Sequence, residues 1–196
     1  MASDVSLDTK VCPVTMDDAE AVQRALGGDA DAFAALVDRH ASVCLRYAAR
    51  MLGSVEDAED VLQESLMRAF RALASFDTTR DFRTWLLSIV ANRCRTALVA
   101  RHRRDRVLAS DVDATESAPA TVDTAYETDL QAVQWALDQL DPKCREAFLL
   151  KHVEGLSYDE MAAVTGTGVS ALKMRVRRAC ERMRDLLEDD NARTHA

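Results

Sequence analysis

The last long helix predicted from the sequence carries six of the ten Lys and Arg residues that follow position 124. It runs from Val169 to about Glu188, and apolar residues at helical spacing form its inner stripe. The residues left facing largely outward are Ser170, Ala171, Lys173, Met174, Arg175, Arg177 and Arg178. Arginine reads guanine through paired hydrogen bonds in the major groove, and neighbouring cations hold phosphates. The helix is therefore a candidate DNA reader; the alternative is an amphipathic helix whose basic face is only solvated.

A shorter helix in front of it completes a two-helix motif. Ser157 and Glu160 have the spacing of a capping box, and the segment from Thr165 to Gly168 interrupts the helical pattern. Ala162 permits close approach of the two helices, and Gly166 can supply the positive φ of the turn. The segment from Leu156 to Leu187 is therefore predicted to be a helix-turn-helix.

A second basic cluster occupies the end of the fourth predicted helix. It consists of Arg93, Arg95, Arg101, His102, Arg103, Arg104 and Arg106, a candidate phosphate track. The polar loop before this helix holds Phe76, Thr79 and Arg80, and an aromatic ring beside cations suits an unstacked base. The alternative is that Phe76 and Trp85 belong to the core, which we favour for Trp85 because it lies on the apolar stripe.

Acidic and amide side chains gather on the third predicted helix. Asp60, Gln63 and Glu64 lie largely off its apolar stripe. A negative face does not suit DNA, because phosphates repel it, and it does suit a basic protein partner. A merely solvated acidic helix explains these residues equally well.

The sequence carries no pattern typical of enzyme chemistry. A Gly-rich phosphate loop, a metal triad and a nucleophile–base pair are all lacking, so we predict no catalytic residue, no metal and no cofactor. The five cysteines form no C-x-x-C pair. His40 and Cys44 supply only two ligands where zinc needs at least three, so core packing is predicted for Cys44. The N-terminal residues do not resemble a signal peptide and no apolar run approaches about 18 residues, so a cytoplasmic protein without membrane insertion is expected.

Composition favours an all-α fold of two small helical domains. Ala, Leu, Arg, Glu and Asp dominate, with only 6 Gly and 3 Pro. The predicted helices are a first one capped by Thr15, then about 29–52, 55–74, 81–106, 125–140, 142–155, a short one after Ser157, and 169–188. The acidic stretch between the fourth and fifth helices reads as a flexible linker. The boundaries are therefore 15–106 for the first domain, 107–124 for the linker and 125–188 for the second domain.

These segments, in this order, resemble a known family. DAEDVLQESLMRAFRAL, then FDTTRDFRTWLLSIVANRCRTAL, then the acidic linker, then LDQLDPKCREAFLLKHVEGLSYDEMAAVTGTGVSALKMRVRRACERMRDLL are similar to the extracytoplasmic-function (ECF) sigma factors of bacterial RNA polymerase. Each segment alone is weak evidence, but the combination is specific and covers about residues 17–187. The resemblance implies a region 2 domain followed by a region 4 domain.

The resemblance also implies roles for the residues named above. Core polymerase binding through the β′ clamp helices is implied for Asp57, Asp60, Gln63 and Glu64. Contacts to the −10 element, where a base is flipped out, are implied for Phe76, Thr79, Arg80, Arg83, Asn92 and Arg95. The −35 element would be read by the outward residues of the last helix. Further implied partners are the β flap of polymerase, promoter DNA and an anti-sigma factor, with the chain a monomer when free of polymerase.

Two features complicate this interpretation. The polar residues Thr165 and Thr167–Gly168 stand where the family usually has an apolar residue and often an Ile-Pro pair, and Thr96 stands where many relatives carry Asp. The net charge is −8, whereas a protein that binds DNA unaided is usually basic. We therefore expect weak DNA binding by the free chain. The alternative function, a stand-alone helix-turn-helix regulator, should be basic and should dimerise.

Overall fold

The computed structural model describes residues 16–108 and 125–194, whose regular structure is helical throughout, so the predicted all-α fold of two small domains is confirmed. The first domain contains α1 (Asp18–Leu26), α2 (Ala30–Leu52), α3 (Val55–Ala72), a 3₁₀ turn (Leu73–Ser75) and α4 (Phe82–Leu108). The second contains α5 (Ala125–Asp138), α6 (Pro142–Phe148), a π-helical turn (Leu149–Val153), α7 (Tyr158–Thr165) and α8 (Val169–Thr194). The linker predicted at 107–124 lies outside the described residues from position 109 onward.

Local capping signals explain where most helices begin and end. The Asp29 side chain accepts from the first-turn N–H groups of α2, and Gly53 ends that helix with a φ of 72°. Asp141 caps α6 in front of Pro142. The first helix is capped by Asp17, which accepts from the Glu20 N–H at 2.7 Å, and not by Thr15, which precedes the described residues. Helix α8 continues beyond the predicted end near Glu188 because neither Gly nor Pro stops it before Thr194.

The apolar core of the first domain lies among α1 to α4, with Tyr47, Leu36 and Leu86 fully buried. Cys44 is buried in it, as predicted, and burial raises the pKa of its thiol to about 12. The His40 ring does not turn to Cys44; its Nε2 lies 2.8 Å from Asp18 Oδ2. Both side chains therefore serve the packing of α2.

The second domain packs α8 across α5, α6 and α7, with Leu149, Leu150, Met161 and Leu172 buried between them. The two domains also touch each other, since α7 lies against α4 and α6 against α2. None of the described helices is long and apolar enough to span a membrane.

Candidate functional site

The helix-turn-helix has the predicted local structure. Ser157 accepts from the Glu160 N–H at 3.2 Å, and the Glu160 carboxylate accepts from the Ser157 N–H at 2.7 Å, which closes the capping box of α7. Gly166 ends α7 with a φ of 65°, a left-handed conformation that favours glycine. Helix α8 begins three residues later, so the capped helix sets the position of the basic helix.

The polar turn is internally hydrogen-bonded. The Thr165 hydroxyl donates to the Met161 carbonyl at 2.8 Å and accepts from the Thr167 N–H at 3.2 Å. The Arg175 guanidinium donates to the Thr167 hydroxyl at 3.2 Å. These threonines therefore fix the turn in place of apolar packing, and they draw Arg175 toward it.

We predict that Ser157→Ala destabilises the second domain by about 1 kcal/mol, because the first-turn N–H of α7 loses its partner. Urea unfolding followed by circular dichroism measures the free-energy change. Ser170→Ala, at an exposed serine in the next helix, is the control and should change the stability by less than about 0.5 kcal/mol. Equal stabilities for Ser157→Ala and the wild type would show that the box contributes nothing.

The outer face of α8 is open to solvent. Exposed on it are Ser170, Ala171, Lys173, Met174, Arg177 and Arg178, whereas Arg175 is half-buried. Arg177 pairs with Glu181 one turn later at 2.8 Å, and Lys173 Nζ lies 5.6 Å from the centre of the Tyr158 ring. The described structure thus presents six of the seven predicted residues on an accessible cationic surface.

The acidic residues of α3 fall into two groups. Asp57, Asp60 and Gln63 are exposed. Glu64 is half-buried and pairs with Arg68 at 2.9 Å and with Arg93 of α4. The hydrogen bond from Arg68 lowers the pKa of the Glu64 carboxyl, which favours the charged form. Glu64 therefore ties α3 to α4, and the outward negative surface comes from the other residues.

An exposed apolar strip continues this acidic face. Met67 is 49% exposed, and Phe70, which the sequence places on the inner stripe, is 57% exposed. The Phe70 ring packs edge-on against Phe33 of α2, with centroids 5.0 Å apart. The position of Met67, one helical turn after Gln63 and off the inner stripe, is a signal that the sequence interpretation missed. Exposed apolar side chains of this kind mark interaction surfaces.

Phe76 does not present its ring to solvent. It is 8% exposed and packs against Phe82 and Trp85, with centroids 5.5 and 4.9 Å apart. Of the two interpretations of Phe76, this arrangement supports the core one, because the ring belongs to the aromatic cluster that holds the loop on α4. Trp85 is only half-buried, so its assignment to the core holds in part.

The remaining loop residues are accessible. The Thr79 N–H and hydroxyl donate to the Asp77 carboxylate at 3.0 and 2.7 Å, and these bonds lower the pKa of Asp77. Arg80 is exposed at the end of this turn. The turn therefore presents Thr79 and Arg80 next to the start of α4.

Two arginines of α4 that were assigned to the −10 element form ion pairs with the second domain. Arg83 Nη2 lies 2.6 Å from Glu154 Oε2, and Arg95 pairs with Glu146, both carboxylates coming from the second domain. Asn92 is exposed, and its Oδ1 lies 3.5 Å from Arg95 Nη2. The sequence interpretation missed both ion pairs, because their members lie 71 and 51 residues apart.

Comparisons with known proteins match both domains to one family. The family models "Sigma-70 region 2" and "Sigma-70, region 4" match residues 36–104 and 130–183. The RNA polymerase sigma factor CarQ of Myxococcus xanthus is 35% identical, with 85% of this chain and 95% of CarQ covered. The ECF RNA polymerase sigma factor SigW of Bacillus subtilis is 31% identical, with 83% and 92% covered. The sigma factor RpoE, solved in complex with the anti-sigma factor NepR from Bartonella quintana, aligns with a TM-score of 0.66 at 27% identity and covers 80% of this chain and 96% of RpoE.

Proposed function

The chain belongs to the ECF sigma factors of the sigma-70 family, and we propose that its two domains divide the recognition of a promoter between them. As an RNA polymerase sigma factor it directs transcription initiation. In the proposal, residues 15–106 dock on polymerase and hold the −10 element, and residues 125–188 read the −35 element. The observation that carries this division is the exposed cationic face of α8 behind a capped α7, within the segment matched as region 4.

For the −35 element, the outer face of α8 enters the major groove. Arg177 and Arg178 can donate to guanine or to phosphates, and the exposed Met174 can contact a thymine methyl group. Lys173, beside the Tyr158 ring, supplies a further cation at the groove edge. Arg175 is assigned a phosphate contact, since its guanidinium already donates to the turn.

For polymerase, the docking face comprises Asp57, Asp60 and Gln63, oriented by the Glu64 ion pairs, and its partner is the β′ clamp helices. Exposed Met67 and Phe70 extend this face and would bury apolar area on binding. The second domain would meet the β flap. Charge complementarity then speeds and orients docking, and apolar burial contributes to affinity.

For the −10 element, we assign Thr79, Arg80, Arg83, Asn92 and Arg95 to the DNA strand. Phe76 is a positioning residue that holds the loop. Polymerase performs all bond chemistry, and we infer that this chain is not an enzyme. Its contribution is to offset the few kcal/mol that unstacking bases costs.

We also infer the regulation and the location of the chain from its family. RpoE was solved with an anti-sigma factor, and we infer that an anti-sigma factor also holds this chain inactive. The free chain is then a monomer that works in the cytoplasm, where polymerase and promoter DNA lie. A stand-alone regulator is not favoured, because the two matched regions occur together and in order.

The acidic balance of the chain gives a direct test. With a net charge of −8, the free protein should bind a labelled promoter duplex weakly at about 150 mM salt, since phosphate neutralisation supplies much of the affinity. Fluorescence anisotropy with and without core polymerase measures the difference, and a duplex of scrambled −35 and −10 sequence is the control. Tight, sequence-specific binding by the chain alone would point to the stand-alone regulator instead.

A further inference from the structure

Two carboxylates of the second domain occupy two arginines assigned above to −10 DNA. Glu154 accepts from Arg83 through its side chain at 2.6 Å and through its carbonyl oxygen at 3.3 Å. Glu146 accepts from Arg95. A carboxylate and a phosphate offer arginine the same kind of charge-assisted hydrogen bond. Neither arginine can therefore bind DNA fully while these pairs persist.

The two carboxylates are buried, whereas their partners are not. The side chains of Glu146 and Glu154 are 4% exposed, and those of Arg83 and Arg95 are each 33% exposed. Burial raises the pKa of Glu146, and the nearby Arg95 opposes that effect. A buried carboxylate that loses its cation is strongly disfavoured, so each pair holds the domains together in this arrangement.

A second set of contacts fixes the same interface at the end of α2. Arg145 is buried and donates to the Met51 carbonyl at 2.9 Å, while also donating to the Asp138 carbonyl of its own domain at 2.8 Å. Gln134 of the second domain lies 3.5 Å from the Arg50 carbonyl. A cation at a helix C-terminus is favourable, because the last carbonyls lack helical partners.

The shielding is selective. Helix α7 covers the beginning of α4, where Arg83 lies, and α6 lies beside Arg95. The outer face of α8 is exposed in the same arrangement, so the −35 residues Lys173 and Arg178 are uncovered. The closed arrangement thus occupies two arginines of the −10 surface and leaves the −35 surface open.

We propose that the chain inhibits itself through this contact: Glu146 and Glu154 act as phosphate mimics on Arg95 and Arg83, and the domains must separate before the −10 strand binds. The inference rests on the proposed function for the role of the two arginines. The closure itself does not depend on that role. Binding to polymerase supplies the free energy of opening, which links promoter binding to holoenzyme formation.

The test uses the full chain with Glu146→Gln and Glu154→Gln combined, which keeps the side-chain shapes and removes both charges. Fluorophores on unnatural amino acids at exposed Ser42 and Asp185 report the distance between the domains by energy transfer. The matched control is Glu188→Gln with Asp189→Asn, two exposed acids of the second domain. Binding of a single-stranded −10 oligonucleotide to the free protein is measured in parallel.

We expect lower energy transfer in the Glu146→Gln, Glu154→Gln variant than in the control, and an affinity for the oligonucleotide about tenfold higher. Unchanged energy transfer would overturn the closure. Lower energy transfer without a gain in affinity would overturn the shielding, and would show that Arg83 and Arg95 do not hold −10 DNA. A charge exchange guards against misfolding: Glu146→Arg alone should open the domains, and adding Arg95→Glu should restore the closed distance. If the charge exchange does not restore the closed distance, the proposed ion pairs do not hold the domains together.

Discussion

Replacing Asp60 and Gln63 together by lysine is expected to weaken the association of the chain with core RNA polymerase about 100-fold, equivalent to about 2.7 kcal/mol. Both side chains are exposed on α3, so the substitution leaves the core intact. It places positive charge against a basic partner surface, and like charges facing each other across an interface cost several kcal/mol. Glu64 is left unchanged, because its pairs with Arg68 and Arg93 support the fold.

The measurement is competition between unlabelled variants and fluorescent wild-type chain for core polymerase. The control is Asp185→Lys with Gln139→Lys, which makes the same change in charge at exposed positions of the second domain. We expect the control to compete like the wild type. If the α3 variant competes equally well, the docking surface lies elsewhere on the chain.

Replacing Arg178 by alanine is expected to reduce transcription from the cognate promoter about 5- to 150-fold if the side chain reads a base edge. This loss is equivalent to a free-energy change of about 1–3 kcal/mol. Arg178 is exposed in the first half of α8, the part of a recognition helix that enters the major groove. Loss of a base contact also relaxes sequence preference at one position, whereas loss of a phosphate contact weakens all sequences alike. Lys173→Ala should follow the same rule.

Run-off transcription at limiting holoenzyme measures this effect on promoters carrying each single substitution in the −35 element. Arg184→Ala is the matched control, because it removes an exposed arginine from the same helix farther from the turn. The control should lose much less activity. Unchanged transcription with Arg178→Ala would remove this residue from the −35 surface.

The helices were predictable because their ends are fixed by local chemistry. Asp29, the Asp141–Pro142 pair and the Ser157–Glu160 box each act within about one helical turn, so a short stretch of sequence contains the whole signal. The basic face of α8 was predictable for a similar reason. Its inner residues recur at helical spacing, so the outward positions follow from the period alone.

The errors have a different origin, since each depends on packing between separate structural elements and not on the period of one helix. Phe70 lies on the predicted inner stripe, but its ring packs on Phe33 at the margin of the α2–α3 contact and remains largely exposed. Phe76 was placed on the DNA surface, but it joins an aromatic cluster with Phe82 and Trp85. No local pattern predicts these arrangements.

The cross-domain ion pairs were hidden for the same reason. Arg83 and Glu154 are 71 residues apart, and no pattern in either helix indicates its partner. From the sequence around each residue alone, Arg83 is predicted to face DNA and Glu154 to be an exposed acid. Only the packing of α7 and α6 on the first domain brings them together and turns a binding residue into part of a closed interface.

The central claim is that this chain directs core RNA polymerase to promoters, and transcription in vitro tests it most directly. Purified chain and core polymerase are incubated with genomic DNA of the source bacterium, and the 5′ ends of the transcripts are sequenced. We expect new start sites that share one −35 and one −10 sequence, and that disappear with the Asp60→Lys, Gln63→Lys variant. The same start sites with and without the chain would contradict it.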